Sequence, residues 1–244
     1  MSYICTFNNY DLLGYFDVSY EIDRVLPEWE PTIIEVPASN VAIFGGTRAK
    51  PMKVGMTLIT KDGFNRDTRQ LIIRELARIL AVDYPRQLVL GDEHGLYRLA
   101  MPNGEMEITP HLNADTIHVE FICPDPRLYG DTETRTVSTS ATTVNVGGTA
   151  NTEPTVTVTA TPNSSGVWRI EDSTSGQLMQ VSGLSTGSSH SLVFDCNSRQ
   201  LSVDGTVAML DTNSDWFSLK PGNHSMRVTA GSGSATLQFI EKWW

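Results

Sequence analysis

With 244 residues, 40% hydrophobic and 19% charged side chains, the chain has the make-up of an ordinary globular protein with room for two domains. A formal net charge of −10 excludes a nucleic-acid grip, which needs clustered Lys and Arg to displace phosphate counterions. No window approaches the roughly 18 consecutive apolar residues of a membrane span.

Met1 to Tyr10 lacks a basic start followed by an apolar run, so synthesis in the cytoplasm without a secretion signal is expected. The next stretch, Val25 to Lys50, is interrupted by Pro27, Pro31, Pro37, Gly45 and Gly46, yet carries apolar Trp29, Ile33, Ile34, Val36, Val41, Ile43 and Phe44. A loop this long and this apolar needs a covering surface. Either it folds back on its own domain, or it projects as an arm that packs on a neighbouring subunit. Those seven residues are the candidate subunit-interface segment. Gly45-Gly46-Thr47-Arg48-Ala49-Lys50 lacks the spacing of a phosphate-cradling loop, and Pro51 follows where a helix would have to start.

Lys53 to Ile59 alternates, with Val54, Met56 and Leu58 on one face, and Thr116 to Cys123 does the same with Ile117, Val119, Phe121 and Cys123. Both read as half-buried strands. Between them, Asp67 is expected to cap a helix whose Ile72, Ile73, Leu76, Ile79 and Leu80 face a sheet, opposite Arg69, Arg74, Glu75 and Arg78. Leu88 to Leu90, Tyr97 to Met101 and Glu105 to Ile108 are shorter strand candidates, and Asn103-Gly104 is a hairpin signal.

At Cys123-Pro124-Asp125-Pro126-Arg127-Leu128-Tyr129-Gly130 two prolines end the strand. Composition shifts there from charged to Thr, Ser, Gly, Val and Asn, which divides the chain into domains 1–128 and 129–244. The second domain shows short runs at Thr142 to Val146, Pro154 to Ala160, Val167 to Glu171, Leu178 to Val181, His190 to Phe194, Arg199 to Val203, His224 to Thr229 and Ala235 to Ile240. Turn clusters such as Ser173-Thr174-Ser175-Gly176 and Asp204-Gly205 separate them, the pattern of an antiparallel β-sandwich. The fold class is therefore mainly β, with one helix in the first domain.

Catalytic groupings are not found. Cys5, Cys123 and Cys196 are too scattered for a disulfide framework or a zinc knuckle and are expected to be reduced and mostly buried. His94, His111, His118, His190 and His224 lack metal-ligand spacing, and the His118/Glu120 pair reads as an outward polar strand face. No G-x-S-x-G elbow occurs, and Glu105/Glu107 and Asp211/Asp215 are ordinary solvated carboxylates. Neither enzyme activity, cofactor nor metal is expected. Among aromatic residues, Trp168 and Trp216 are candidate glycan contacts, since indole stacks on the apolar face of a sugar, although core packing is the ordinary role.

Arg199-Gln200-Leu201-Ser202-Val203-Asp204-Gly205 is followed by Asp215-Trp216-Phe217-Ser218-Leu219-Lys220-Pro221-Gly222-Asn223-His224-Ser225-Met226. This order resembles the distal tail protein family of siphophages, where an Asp-Gly hairpin precedes a Phe-x-Leu-x-Pro-Gly-Asn turn near the end of a C-terminal sandwich. Asp204, Gly205, Trp216, Phe217, Leu219, Pro221, Gly222 and Asn223 carry the likeness, with Asn223 expected to bond its own backbone. An opening strand pair around Gly14, the lone helix and the Asp125–Tyr129 junction agree in outline, although the family often has a more compact aromatic pattern at that junction.

The resemblance implies a homohexameric ring of first domains at the virion tail tip, with a channel through which DNA passes unbound. It implies a galectin-like second domain pointing outward, with the tail tube protein and a tail-associated fibre or lysin protein as ring partners, and a receptor-binding protein or host glycan at the periphery. A negative lumen would let DNA slide without sticking. The competing reading is a carbohydrate-binding or host-adhesion module acting through the sandwich. A third, an enzyme acting on cell-wall polysaccharide, has only scattered carboxylates in its favour.

Overall fold

The alternating segments on either side of the helix become neighbouring interior strands of one sheet in the computed structural model, which describes residues 4–22, 26–35, 41–91, 93 and 95–244. Two units are resolved, Met1–Leu128 together with Trp244, and Tyr129–Trp243. The mainly β fold with one helix among the described residues is the class read from the sequence.

In the first unit the elements are β1 (Thr6–Phe7), β2 (Tyr10–Asp11), a 3-10 turn at Leu12–Gly14, β3 (Phe16–Ile22), β4 (Trp29–Ile34), β5 (Ile43–Ala49), β6 (Met52–Thr60), α1 (Arg66–Leu80), β7 (Arg86–Val89), β8 (Arg98–Pro110) and β9 (Asp115–Cys123). Seven strands form one antiparallel sheet in the order β2-β1-β7-β8-β9-β6-β3. Val54, Met56 and Leu58 of β6 and Ile117, Val119 and Phe121 of β9 bury one face of it, and Ile72, Leu76, Ile79 and Leu80 of α1 belong to the same core. Strands β1 and β2 reverse at Asn8-Asn9, both at positive φ (50° and 66°), the left-handed geometry that Asn tolerates better than most residues.

Three expectations for this unit need correction. The helix is capped by Asn65, whose side chain accepts the Thr68 amide at 2.8 Å, while Asp67 sits inside the first turn. Arg69, read as part of the polar face, is buried: its guanidinium lies 3.6 Å from the buried Asp115 carboxylate and donates to the His111 and Leu112 carbonyls at 3.4 and 3.3 Å. This ties the helix to the β8–β9 turn. Finally, Asn103-Gly104 makes no hairpin. β8 runs unbroken past it with a register shift between Asn103 and Glu107, and Gly104 takes φ 76° as a bulge residue. The reversal comes at 111–114, where the His111 amide donates to the Ala114 carbonyl at 2.8 Å.

The second unit contains β10 (Leu128–Val137), β11 (Thr142–Val146), β12 (Thr155–Ala160), β13 (Trp168–Asp172), β14 (Leu178–Val181), β15 (His190–Asp195), β16 (Gln200–Val203), β17 (Thr206–Ala208), β18 (Gly222–Ala230) and β19 (Ala235–Trp243). One sheet has the order β10-β19-β12-β15-β16-β17 and the other β11-β18-β13-β14. Their inward residues, among them Val156, Val158, Leu192, Phe194 and Leu237 from the first and Val144, Ile170, Met179, Met226 and Val228 from the second, form one buried cluster, as a sandwich requires. At Gly148, φ 84°, an added Cβ would collide with the Lys242 carbonyl, so the close approach of these two segments needs glycine.

Candidate functional site

Within the stretch read as an irregular loop, Trp29–Ile34 and Ile43–Ala49 are instead organised as a ribbon. β4 and β5 pair with each other, with Ile33 opposite Phe44 and Ile34 opposite Ile43, and a bulge between Thr32 and Ile33. Among the described residues neither strand joins another sheet. The prolines that argued against regular structure are accommodated because an edge strand need not use every amide. Two ion pairs, Glu30–Arg48 and Glu28–Lys50, and a 2.8 Å bond from the Lys50 amide to the Glu28 carbonyl fasten the base.

A two-stranded ribbon has no second layer to cover it. Ile33, Phe44 and Val41 are accordingly 63%, 67% and 73% exposed, and Trp29, Ile34 and Ile43 are exposed as well. Val36 lies outside the described residues. Large apolar side chains are therefore concentrated on one uncovered element.

The sandwich residues that carried the resemblance serve as fasteners. Asp204-Gly205 is the two-residue turn between β16 and β17, with φ 51° and 80°, the type I′ geometry that a right-twisted hairpin needs. Asp204 also accepts the Ser191 amide at 2.8 Å and bonds His190 Nδ1 at 2.7 Å. The bond from His190, then that of the Ser191 amide, holds the Asp204 carboxyl below its ordinary range, and Asp204 in turn raises His190. His190 Nε2 faces both the Ser185 hydroxyl, at 3.0 Å, and the Ser185 carbonyl, at 3.2 Å. The Ser-His-Asp chain is therefore a loop latch: an Nε2 that donates to a carbonyl cannot take a proton from a serine.

Phe217 and Leu219 are fully buried and Trp216 packs half-buried against the core. Gly222 (φ 124°) opens β18. Asn223 does not bond its own backbone as expected: its side chain accepts from Asn145 of β11 at 2.9 Å, across the strand pair. Next to it His224 is buried, with Nδ1 2.7 Å from the Asp172 carboxylate and Nε2 2.8 Å from the Lys220 carbonyl. Burial opposes charge on Asp172, but hydrogen bonds from Ser175, His224 and Thr174 outweigh it and lower its pKa. The sequence did hold a signal for this clasp, because His224 shares its strand phase with the inward Met226 and Val228.

Trp168 requires correction as a glycan contact. It is fully buried, 5.6 Å from the Phe194 ring, and presents no face to solvent. His118 and Glu120 lie on an outward polar strand face, bonded at 2.9 Å to Thr57 and Lys53. Cys5, Cys123 and Cys196 are buried free thiols, and burial pushes Cys5 and Cys196 up to about 12, far from a nucleophile's range. No grouping of metal-ligating side chains occurs among the described residues, and no helix among them is long and apolar enough to cross a membrane.

Residues 147–243 match the family model of the Siphovirus-type tail component, C-terminal domain. The distal tail protein of Bacillus phage SPP1 is 29% identical over 197 residues, which cover 76% of this chain and 74% of that protein. The crystal structure of SPP1 Dit, described as a paradigm of the hub adsorption apparatus in phages infecting Gram-positive bacteria, shares the fold across 100% of both chains, with a TM-score of 0.76 at 18% identity. Residues 147–243 thus carry the mark of a Siphovirus-type tail component C-terminal domain, and the chain is similar in sequence and fold to the distal tail protein of phage SPP1.

Proposed function

We propose that the chain forms a homohexameric ring through its first unit, joins the tail tube to the tail-tip apparatus and leaves a channel through which DNA passes. The single observation that carries this reading is the exposed β4–β5 ribbon. A soluble monomer gains nothing from presenting Ile33, Ile34, Val41, Ile43 and Phe44 to water. Packed head-to-tail on the next copy, the same surface closes a ring. Buried in this way, each such side chain contributes about 1.5–3 kcal/mol, enough in sum to hold subunits together.

In this reading the tail tube protein lies on one side of the ring and a fibre or lysin protein on the other, and assembly takes place in the host cytoplasm. The second unit, a galectin-like module, faces outward toward a receptor-binding protein or the host surface. The net charge of −10 suits a conduit that DNA must traverse without adhering. Light scattering on the purified chain, at rising concentration, is expected to report a mass six times 26.9 kDa. Negative-stain images are expected to show a six-fold annulus. A monomer at every concentration, alone and with the tail tube protein added, would reject the reading.

A further inference from the structure

The sandwich carries a polar recess of about 510 Å³, lined by Thr174, Ser175 and Gln177 of the β13–β14 turn, by Ser218, Lys220 and Pro221, and by Asn223 and His224 of β18. No carboxylate lines it. Ser175 and His224 spend their polar atoms on Asp172 and the Lys220 carbonyl, but Gln177, Asn223, Thr174 and Lys220 keep donors that nothing among the described residues takes up. The Gln177 carbonyl oxygen accepts the Ser218 amide at 3.3 Å, which fixes the side-chain orientation and turns its NH₂ away. The Asn223 oxygen accepts from Asn145, leaving its NH₂. The Thr174 hydroxyl accepts the Ser225 amide at 2.9 Å and keeps its O–H. Lys220 lends its carbonyl to His224, while its ammonium has no ion-pair partner among the described residues. Behind them, Asp172 is compensated by His224, Ser175 and Thr174 and offers the recess no free acceptor.

We infer that this recess binds a phosphate ester, the amides, hydroxyl and ammonium donating to its oxygens. A recess with unengaged donors and no lining carboxylate favours a ligand that accepts. The donors come from two stretches of chain, 174–177 and 218–224, and Lys220 supplies the charge opposite to phosphate. Inorganic phosphate and the phosphodiesters of a polyol-phosphate polymer share this chemistry. The inference is independent of ring formation, since every lining residue belongs to the second unit of a single chain.

The test is calorimetric titration of the full chain with inorganic phosphate, with glycerophosphoglycerol as a diester, with acetate and with glycerol. At least one phosphate probe is expected to bind, tighter than acetate, with no heat from glycerol. The tighter of the two phosphates identifies the source, and either result keeps the site. Lys220→Ala and Gln177→Glu are each expected to weaken binding about tenfold. The glutamate retains an oxygen for the Ser218 amide but replaces the donor with a charge that repels phosphate. Melting temperatures equal to wild type would show that the variants are folded. Failure of both phosphate probes to bind, equal binding of acetate, or undiminished binding by the two folded variants would overturn the inference.

Discussion

His224 and Asp172, brought from β18 and β13, share a 2.7 Å hydrogen bond beneath the surface of the sandwich. The second ring nitrogen faces the Lys220 carbonyl at 2.8 Å, so the ring is held from both sides. The pair fastens the Lys220-Pro221-Gly222 turn to the end of β13. Removing one member of this buried hydrogen-bonded pair leaves the other without its partner. Asp172→Asn and His224→Ala are each expected to cost about 3 kcal/mol in chemical denaturation. The double variant is expected to lose less than the sum; strict additivity would show that the two residues act separately.

The latch of His190 and Asp204 should give the sandwich a pH-dependent increment of stability. Asp204 has a lowered pKa, first through its bond from His190, so its contribution is present above the ordinary 3.8 and disappears as pH falls through the lowered value. His190 is raised, first through Asp204, so its contribution is complete below the ordinary 6.5 and disappears as pH rises through the raised value. The latch is therefore strongest between those two ordinary values and weakens on either side. The melting temperature of His190→Gln, compared with wild type across pH, should show its largest deficit in that window. A deficit independent of pH would contradict the assignment.

Ribbon side chains meet solvent in the isolated chain, so their replacement should leave its stability nearly untouched. Ile33→Asp combined with Phe44→Asp is expected to shift unfolding by no more than about 0.5 kcal/mol per site. The same variant should abolish self-association in light scattering. Retained self-association would move the interface elsewhere on the chain.

The helix cap separates what the sequence pattern suggested from what the backbone does. Asn65→Ala is expected to cost about 1 kcal/mol, because it removes the acceptor of the Thr68 amide. Asp67→Ala should cost about 0.5 kcal/mol, the share of a carboxylate near a helix N-terminus. The reverse ranking in denaturation would restore Asp67 as the cap.

Where one face of an element is buried, the sequence was readable. Thr142–Val146 and Leu178–Val181 were legible to the residue because each alternates between core and solvent and is bounded by turn residues. Elements without that contrast were not. β17 has no buried residue, and β10 runs largely exposed between Gly130 and Val137, so neither left a pattern. The ribbon concealed itself in another way: its apolar residues fall side by side, Ile33-Ile34 and Ile43-Phe44, rather than alternating, and Pro31 and Gly45 interrupt it, which mimics a loop, while its regularity comes from pairing with itself. Asn103-Gly104 misled because the same left-handed backbone serves a bulge as readily as a turn, and only the partner strand β9 decides which. Of the candidate sites, the greasy segment was legible from composition alone. The donor-lined recess was not, because Gln177, Lys220 and Asn223 meet only after β14 and β18 have taken their places in the sheet.

The sealed sulfur chemistry of this chain has a practical corollary. Cys5, Cys123 and Cys196 are all buried, and Cys5 and Cys196 stay protonated far beyond neutral pH. A thiol engineered onto the exposed ribbon, Ile33→Cys for example, would be the most accessible target for maleimide probes without deletion of any native sulfur. Neighbouring copies could then be followed by fluorescence transfer while they associate, against the silent background of the three native thiols.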